Sequence, residues 1–193
     1  MNQKPRILAF GGSLRKESTN KKTVKVAAEG AKKAGGGITY IDLKDYPLPV
    51  YDGDIEEEGG LPENAAKLQE LLLTHEGFLI ASPEYNSSIS GALKNVIDWT
   101  SRPNGEIKMG ACYKGKIAGL MSASLGGLGG LRGLFDIRKI LSTMGVIVLP
   151  DQTAVSNSFQ AFDDKGNFID EKMQLRVEKL GANMVEMLVK LSQ

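Results

Sequence analysis

Five short apolar runs alternate along this chain with longer segments whose apolar residues recur every three or four positions. The first run, Arg6-Ile7-Leu8-Ala9-Phe10, is too short for a helix and shows no polar alternation, the pattern of a buried strand. Val24, Ala27, Ala28 and Ala31 then mark one face of a helix over about Ser18 to Ala34, stopped by Gly35-Gly36-Gly37. Ile38 to Leu43 reads as the second strand. Lys44 to Leu61 is a long connection rich in Pro, Gly, Asp and Glu, and such connections are usually functional or disordered. Pro62 suits the first turn of a helix running to about Thr74, with Ala65, Leu68 and Leu72 as its buried row.

Gly77 to Ala81 is the third strand, and Pro83, which cannot donate to a ladder, ends it. A polar loop follows, then a helix in which Leu93, Val96, Ile97 and Thr100 fall at helical spacing. Arg102 to Gly115 is irregular. Lys116 to Ala123 is the fourth strand, followed by a helix through Leu134, Ile137 and Leu141 to Met144, and Gly145 to Pro150 is the fifth strand. Asp151 to Asp170 is polar with a turn at Asp163-Asp164-Lys165-Gly166. A last amphipathic helix runs from about Asp170 to the end on a stripe of Leu180, Met184, Met187, Leu188 and Leu191.

Strand and helix alternating five times predict an α/β protein: a parallel sheet with helices on both faces. Right-handed crossovers restrict it to the doubly wound type, and five strands fit the order 2-1-3-4-5. The switch point of that order lies between strands 1 and 3, so the loops after these strands should form one site. Residues 1–193 read as one domain without internal repeats.

The loop Gly11 to Asn20 joins a strand to a helix start. It carries the hydroxyls of Ser13, Ser18 and Thr19, the amide of Asn20 and the guanidinium of Arg15, and its two glycines let backbone approach a ligand. Free N–H groups and the dipole at a helix start favour an anion, to which Arg15 adds charge-assisted bonds, so the whole cluster reads as a phosphate site, whereas Ser18 and the lysines taken alone fit an N-capped turn with surface lysines equally well. Lys21 and Lys22 in the first helical turn sit at the unfavourable end for cations, which a bound phosphate offsets. It is not a Walker A loop, since no Gly-Lys-Ser/Thr follows. The second loop, Ser82 to Ser90, gathers hydrogen-bonding groups at the matching position.

Composition narrows the chemistry. The 24 basic and 23 acidic residues leave a net charge of +1, with no Lys/Arg stripe to suggest nucleic acid. No apolar run approaches the about 20 residues of a membrane span. Met1 to Arg6 shows no signal-peptide pattern, which together with the single cysteine, Cys112, leads to the expectation of a cytoplasmic protein. One histidine and one cysteine leave no zinc cluster and no Cys/His pair. His75, at a predicted helix end, reads as structural, and Glu56, Glu57 and Glu58 as a solvated charge run. Gly127-Leu128-Gly129-Gly130 lacks the third glycine of a dinucleotide fingerprint, because Arg132 takes that place; close approach to a flat ligand or another subunit accounts for these glycines better, with a flexible helix entry as the alternative. With neither a nucleophile nor an acid/base set, hard chemistry here belongs to a cofactor.

Two stretches resemble the signatures of the NADPH-dependent FMN reductase family, which includes quinone, azo-dye and chromate reductases. They are Gly12-Ser13-Leu14-Arg15-x-x-Ser18-x-Asn20 and Pro83-Glu84-Tyr85-Asn86-x-Ser88-x-x-Gly91-x-Leu93-Lys94-Asn95-x-x-Asp98-Trp99. The resemblance implies a flavodoxin-like fold, bound FMN, NADPH or NADH as co-substrate, a small-molecule electron acceptor, and a homodimer or homotetramer. It assigns Ser13, Arg15, Ser18 and Asn20, beside Thr19, to the FMN phosphate. Pro83, Glu84, Tyr85 and Asn86 would line the ribityl chain and ring, with Ser88 nearby, and Ser122 and the Gly126–Gly130 region would border the ring's other side. No residue is expected to be catalytic and no metal is expected, because hydride passes from NAD(P)H to FMN and on to a quinone, flavin, azo or similar acceptor without a protein nucleophile.

Individual residues keep more than one reading at this level. Tyr85 can stack on a ring or hydrogen-bond through its hydroxyl, and Glu84 can orient the loop or serve structure alone. Lys94 and Asn95 read as packing, loop-bracing or subunit-contact residues, and Trp99 as core or interface. Arg102 reads as a contact for a substrate anion or as a surface arginine, in a segment (Arg102 to Gly115) longer than the family's usual link. Two alternative functions stand beside the enzyme: a flavodoxin-like electron carrier that does not oxidise NAD(P)H, and a nucleotide or phosphate sensor.

Overall fold

The computed structural model describes residues 4–192. Its strands are β1 (Arg6–Gly11), β2 (Gly37–Asp42), β3 (Gly77–Ala81), β4 (Glu84–Tyr85), β5 (Ser88–Ile89), β6 (Ile117–Ala123) and β7 (Ile147–Val155). Its helices are α1 (Thr19–Lys33), α2 (Gly53–Gly59), α3 (Glu63–Thr74), α4 (Gly91–Thr100), α5 (Leu131–Thr143) and α6 (Glu171–Leu191). Five strands form one parallel sheet in the order β2-β1-β3-β6-β7, the doubly wound order expected. The three central strands are buried almost throughout, which is why their sequences read as continuous apolar runs.

Each face of the sheet has its own core. On one face Val24, Ala27 and Ala31 of α1 pack with Val177, Leu180 and Met184 of α6 over Ile7, Leu79 and Met121. On the other, Leu68 and Leu72 of α3, Leu93 and Ile97 of α4 and Leu134 and Ile137 of α5 cover Leu8, Phe78 and Leu120. Burying the fully covered Leu, Ile and Phe side chains contributes about 1.5–3 kcal/mol each relative to exposure. His75 caps α3 as a structural residue: Nε2 lies 2.7 Å from Thr39 Oγ1 and Nδ1 2.6 Å from Leu71 O.

Four features depart from the sequence reading. The long connection after β2 holds a 3-10 turn (Leu43–Asp45) and α2, which carries the Glu56–Glu58 run as a short exposed helix. Glu56 is not merely solvated, since it accepts from Arg102 Nε and the Tyr51 hydroxyl at 2.8 Å. The fifth strand continues through Pro150 to Val155, with a register shift opposite Ala118 and Leu120. Pro150 is tolerated there because β7 is an edge strand, and Arg138 of α5 bonds the Leu149 carbonyl at the irregularity. The polar loop after β3 is itself structured, as the hairpin β4–β5. The last helix ends at Leu191; its expected continuation to Gln193 falls outside the described residues.

Candidate functional site

β1, β3 and β6 are neighbours and parallel, so the segments after them leave the same sheet edge side by side. Side chains fasten the three segments together. Ser90, the N-cap of α4, donates its hydroxyl to Gly12 O, joining the first loop to the second. A Cβ on Gly12 would lie 3.0 Å from Leu93, so the two loops approach closely. Asn20 donates to Ala123 O at 2.8 Å and accepts from Ala123 N at 2.9 Å, joining the first loop to the end of β6.

The first loop presents donors outward. Ser18 is the N-cap of α1, with its hydroxyl accepting from Lys21 N at 3.4 Å, and no acidic residue occupies the first turn. Among the described residues, the N–H groups of Thr19 and Asn20 have no acceptor, as expected at a helix start. Ser13 is buried and accepts from Arg15 N, whereas the Arg15 side chain is exposed and has no carboxylate partner among the described residues. Lys21 does not oppose the helix dipole as the sequence suggested: its side chain is buried and reaches Asp42 at the end of β2, Nζ to Oδ2 2.6 Å. Burial pushes the Asp42 carboxyl up, but Lys21 and the Lys44 N–H more than offset this and hold it below its ordinary range. Thr19 hydrogen-bonds with Ser158, Oγ1 to Oγ 3.1 Å. Asn20 spends its amide oxygen and one amide N–H on Ala123, so it also braces the loop against β6.

The second segment turns back on itself. Glu84 pairs with Ile89 and Tyr85 with Ser88, leaving Asn86 and Ser87 as a two-residue turn with φ of +50° and +68°. Both central residues at positive φ match the type I′ turn of tight hairpins. Pro83 is buried, Tyr85 is 49% exposed and Asn86 is exposed, so the base of the hairpin is covered and its tip reaches solvent. The Glu84 side chain is committed to α5: its carboxylate accepts from Arg132 Nε at 2.9 Å and Gly133 N at 3.1 Å. Burial would raise its pKa, but Arg132 and the Gly133 N–H hold it below the usual range. Ser88 lies beside Asp136, whose carboxyl its hydroxyl, with Lys139, holds below the ordinary value.

The third segment follows β6. Ser122 is fully buried and donates to Gly129 O at 2.6 Å, so it shapes the loop from within. Gly129 and Gly130 lie at positive φ, and a Cβ on Gly129 would meet the Ala154–Ser156 backbone at 2.8 Å. The close approach to Gly129 thus comes from the end of β7, while a Cβ on Gly130 would meet the Ser122 side chain at 2.9 Å. Gly126 and Gly127 differ: they are exposed and face open space.

Arg102 is not brought here. It lies just past the end of α4, a helix of 10 residues and so about 15 Å long, whose other end carries Ser90. Its Nε bonds both oxygens of Glu56, and its guanidinium lies 5.7 Å from the centre of the Tyr51 ring. The same strap is held by Asn95, which bonds Pro49 O and Tyr51 N at 2.8 Å, and by the buried Trp99, whose Nε1 donates to Pro49 O. Asn95 is thus the loop brace the sequence allowed, and Trp99 is core. Burial pushes the Cys112 thiol up to about 11, which keeps it protonated and unreactive. No group of three potential metal ligands occurs among the described residues. The sequence missed Arg132, whose one signal was that it replaces a fingerprint glycine.

A doubly wound sheet with an anion-ready helix start after β1 and a polar hairpin across the switch point defines a flavodoxin-like protein with a ligand site at the carboxyl ends of its central strands. The comparisons with known proteins agree. The family model described as NADPH-dependent FMN reductase matches residues 5–160. A probable NADPH:quinone oxidoreductase of Oryza sativa subsp. japonica is 34% identical over 174 residues, 88% of this chain and 81% of the relative. An NAD(P)H-dependent FMN reductase of Pseudomonas aeruginosa is 31% identical over 180 residues, 93% of this chain and 92% of the relative. The solved structure of FerB, a flavoenzyme NAD(P)H:(acceptor) oxidoreductase from Paracoccus denitrificans, superposes with a TM-score of 0.80 at 27% identity, covering 96% of this chain and 98% of FerB. This chain belongs to the NADPH-dependent FMN reductase family.

Proposed function

We propose that this chain is an FMN-dependent NAD(P)H:acceptor oxidoreductase acting on quinones, flavins, azo compounds or similar small acceptors. The observation that carries the reading is the convergence of three segments at the same end of the parallel sheet: one with free donors, one a polar hairpin bonded to α5, and one exposed at Gly126 and Gly127. These features fit FMN. Arg15, the Ser13 and Ser18 hydroxyls and the N–H groups of Thr19 and Asn20 meet the phosphate. The backbone of Pro83, Glu84, Tyr85 and Asn86, with Ser88 behind it, lines the ring from one side, and Gly126, supported by Ser122, borders the other. Bound FMN supplies hydride acceptance from NADPH or NADH and donation to the acceptor. The protein's part is to hold and orient: Ser90 and Asn20 fix the loops, and Tyr85 offers a half-exposed aromatic face for a planar acceptor.

Residues 1–193 form one FMN-binding domain in this reading. It is a cytoplasmic protein, and no helix among the described residues is long and apolar enough to cross a membrane. It forms a homodimer or homotetramer; Leu125, Leu128 and Phe135 expose large apolar surface beside the hairpin, which supports a partner copy there. The test is a visible absorption spectrum of the FMN-loaded protein before and after anaerobic NADPH or NADH, then after a quinone. Oxidised-flavin bands that bleach with the nucleotide and return with the quinone are expected. A stable one-electron-reduced spectrum without NAD(P)H oxidation would replace the enzyme with an electron carrier.

A further inference from the structure

We infer that Glu84 and Arg132 are a positioning pair that locks the β4–β5 hairpin to the start of α5 and so sets the backbone facing the flavin ring, an inference that rests on the FMN reading above. The start of α5 lacks a cap of its own. Its N-cap is Gly130 at φ +87°, with no side chain, and no acidic residue lies in its first turn. Glu84, 49 positions earlier, supplies what is missing: its Oε2 accepts from Gly133 N at 3.1 Å, a helix cap delivered from another element. Arg132 closes the arrangement by donating Nε to Oε1 at 2.9 Å.

The hairpin needs outside support. Its strands are two residues each, too short for a stable unit alone. Ser87 sits at φ +68°, a conformation disfavoured for a residue with a Cβ, and such residues persist where their surroundings over-determine them. The surroundings here are α5: a Cβ on Gly133 would lie 3.3 Å from Ser88 O and 3.5 Å from Glu84 Cβ. The side chain of Glu84 is 8% exposed while that of Arg132 is 55% exposed. The pair is therefore not a free surface ion pair. Losing Arg132 leaves a buried carboxylate with one N–H partner. Arg132 lies two residues after Gly130, so the pair ties the hairpin to the helix turn that follows the Gly126–Gly130 loop.

The experiment compares Glu84→Ala, Arg132→Ala, their double variant and Arg15→Ala. FMN affinity, the midpoint potential at saturating FMN and amide exchange of the apo protein are measured. Each single pair variant is expected to weaken FMN about tenfold, the size of one well-made hydrogen bond. The double variant should cost no more than the worse single one. The pair variants should shift the potential, Arg132→Lys should restore much of it, and Arg15→Ala should weaken FMN without moving it. In the apo protein, exchange at Tyr85 to Ile89 should accelerate while β1 and β3 stay protected. If Glu84→Ala fails to fold, Glu84→Gln, which keeps the volume and an acceptor for Gly133, takes its place. Wild-type potential and hairpin exchange in the pair variants would overturn the inference. A wild-type protein that binds no FMN would instead overturn the proposed function, with the exchange measurement still deciding the brace.

Discussion

Arg15 is exposed and without a carboxylate partner among the described residues, beside a helix start whose N–H groups are open. A charge-assisted hydrogen bond contributes about 1.5–3 kcal/mol, so Arg15→Ala should weaken FMN binding by that amount, read by titrating the apo protein. Unchanged affinity would remove Arg15 from the phosphate site. At this scale residue type was legible and residue duty was not. Ser13, Arg15 and Ser18 lie together after β1, with the Arg15 side chain exposed and the two hydroxyls accepting from Arg15 N and Lys21 N. Asn20, Glu84 and Ser122 offer equally suitable groups, yet each spends them inside the protein, on Ala123, on Arg132 with Gly133, and on Gly129. Their partners lie 103, 48 and 7 positions away, the last inside a loop whose shape β7 decides. Lys21 shows the same: a cation at the wrong end of a helix becomes harmless because β2 ends on Asp42 beneath it.

Among the elements, α1 and α6 cross at a pair of glycines. A Cβ on Gly30 would lie 2.1 Å from Glu178 O, and one on Gly181 would lie 1.9 Å from Ala27 O. In a helix interior glycine usually costs about 1 kcal/mol against alanine, so alanine should be the better residue on propensity alone. Packing wins here, because both oxygens are backbone and cannot move aside without separating the helices. Gly181→Ala should destabilise the protein by about 1–3 kcal/mol in urea unfolding, the range for overpacking. A stabilised variant would show that the helices do not cross this closely. The helices themselves were legible from spacing, since Val24, Ala27, Ala31 and Leu180, Met184 and Leu188 repeat every three or four positions. Their crossing was not, because nothing in either helix names its neighbour. The hairpin was missed for a related reason: two-residue strands have no periodicity to read, and Asn86-Ser87 lacks the Asn-Gly signal of a type I′ turn.

For the molecule as a whole, pH reports how many carboxylates are held by partners. Asp42, Glu76 and Glu84 are each pushed up by burial and pulled further down by Lys21, Arg6 and Arg132 respectively. A carboxylate with a depressed folded pKa stabilises the fold above its unfolded value, about 3.9 for Asp and 4.3 for Glu. That stability is lost as pH falls through the folded value. The melting temperature should therefore hold near neutrality and fall below about pH 4. Asp42→Asn should lower it at pH 7 and shrink the acid-side loss, which melting curves from pH 7 to pH 3 would show. An unchanged acid profile would mean that the Lys21 pair does not contribute. The sequence by itself determined the alternation of strands and helices, the doubly wound order and the two loops that meet at the switch point, because these follow from local periodicity and from the handedness of crossovers. Only the tertiary structure decided which polar groups in those loops remain free for a ligand and which are spent as braces. A hydrogen bond satisfied by a residue far along the chain leaves no trace in local spacing.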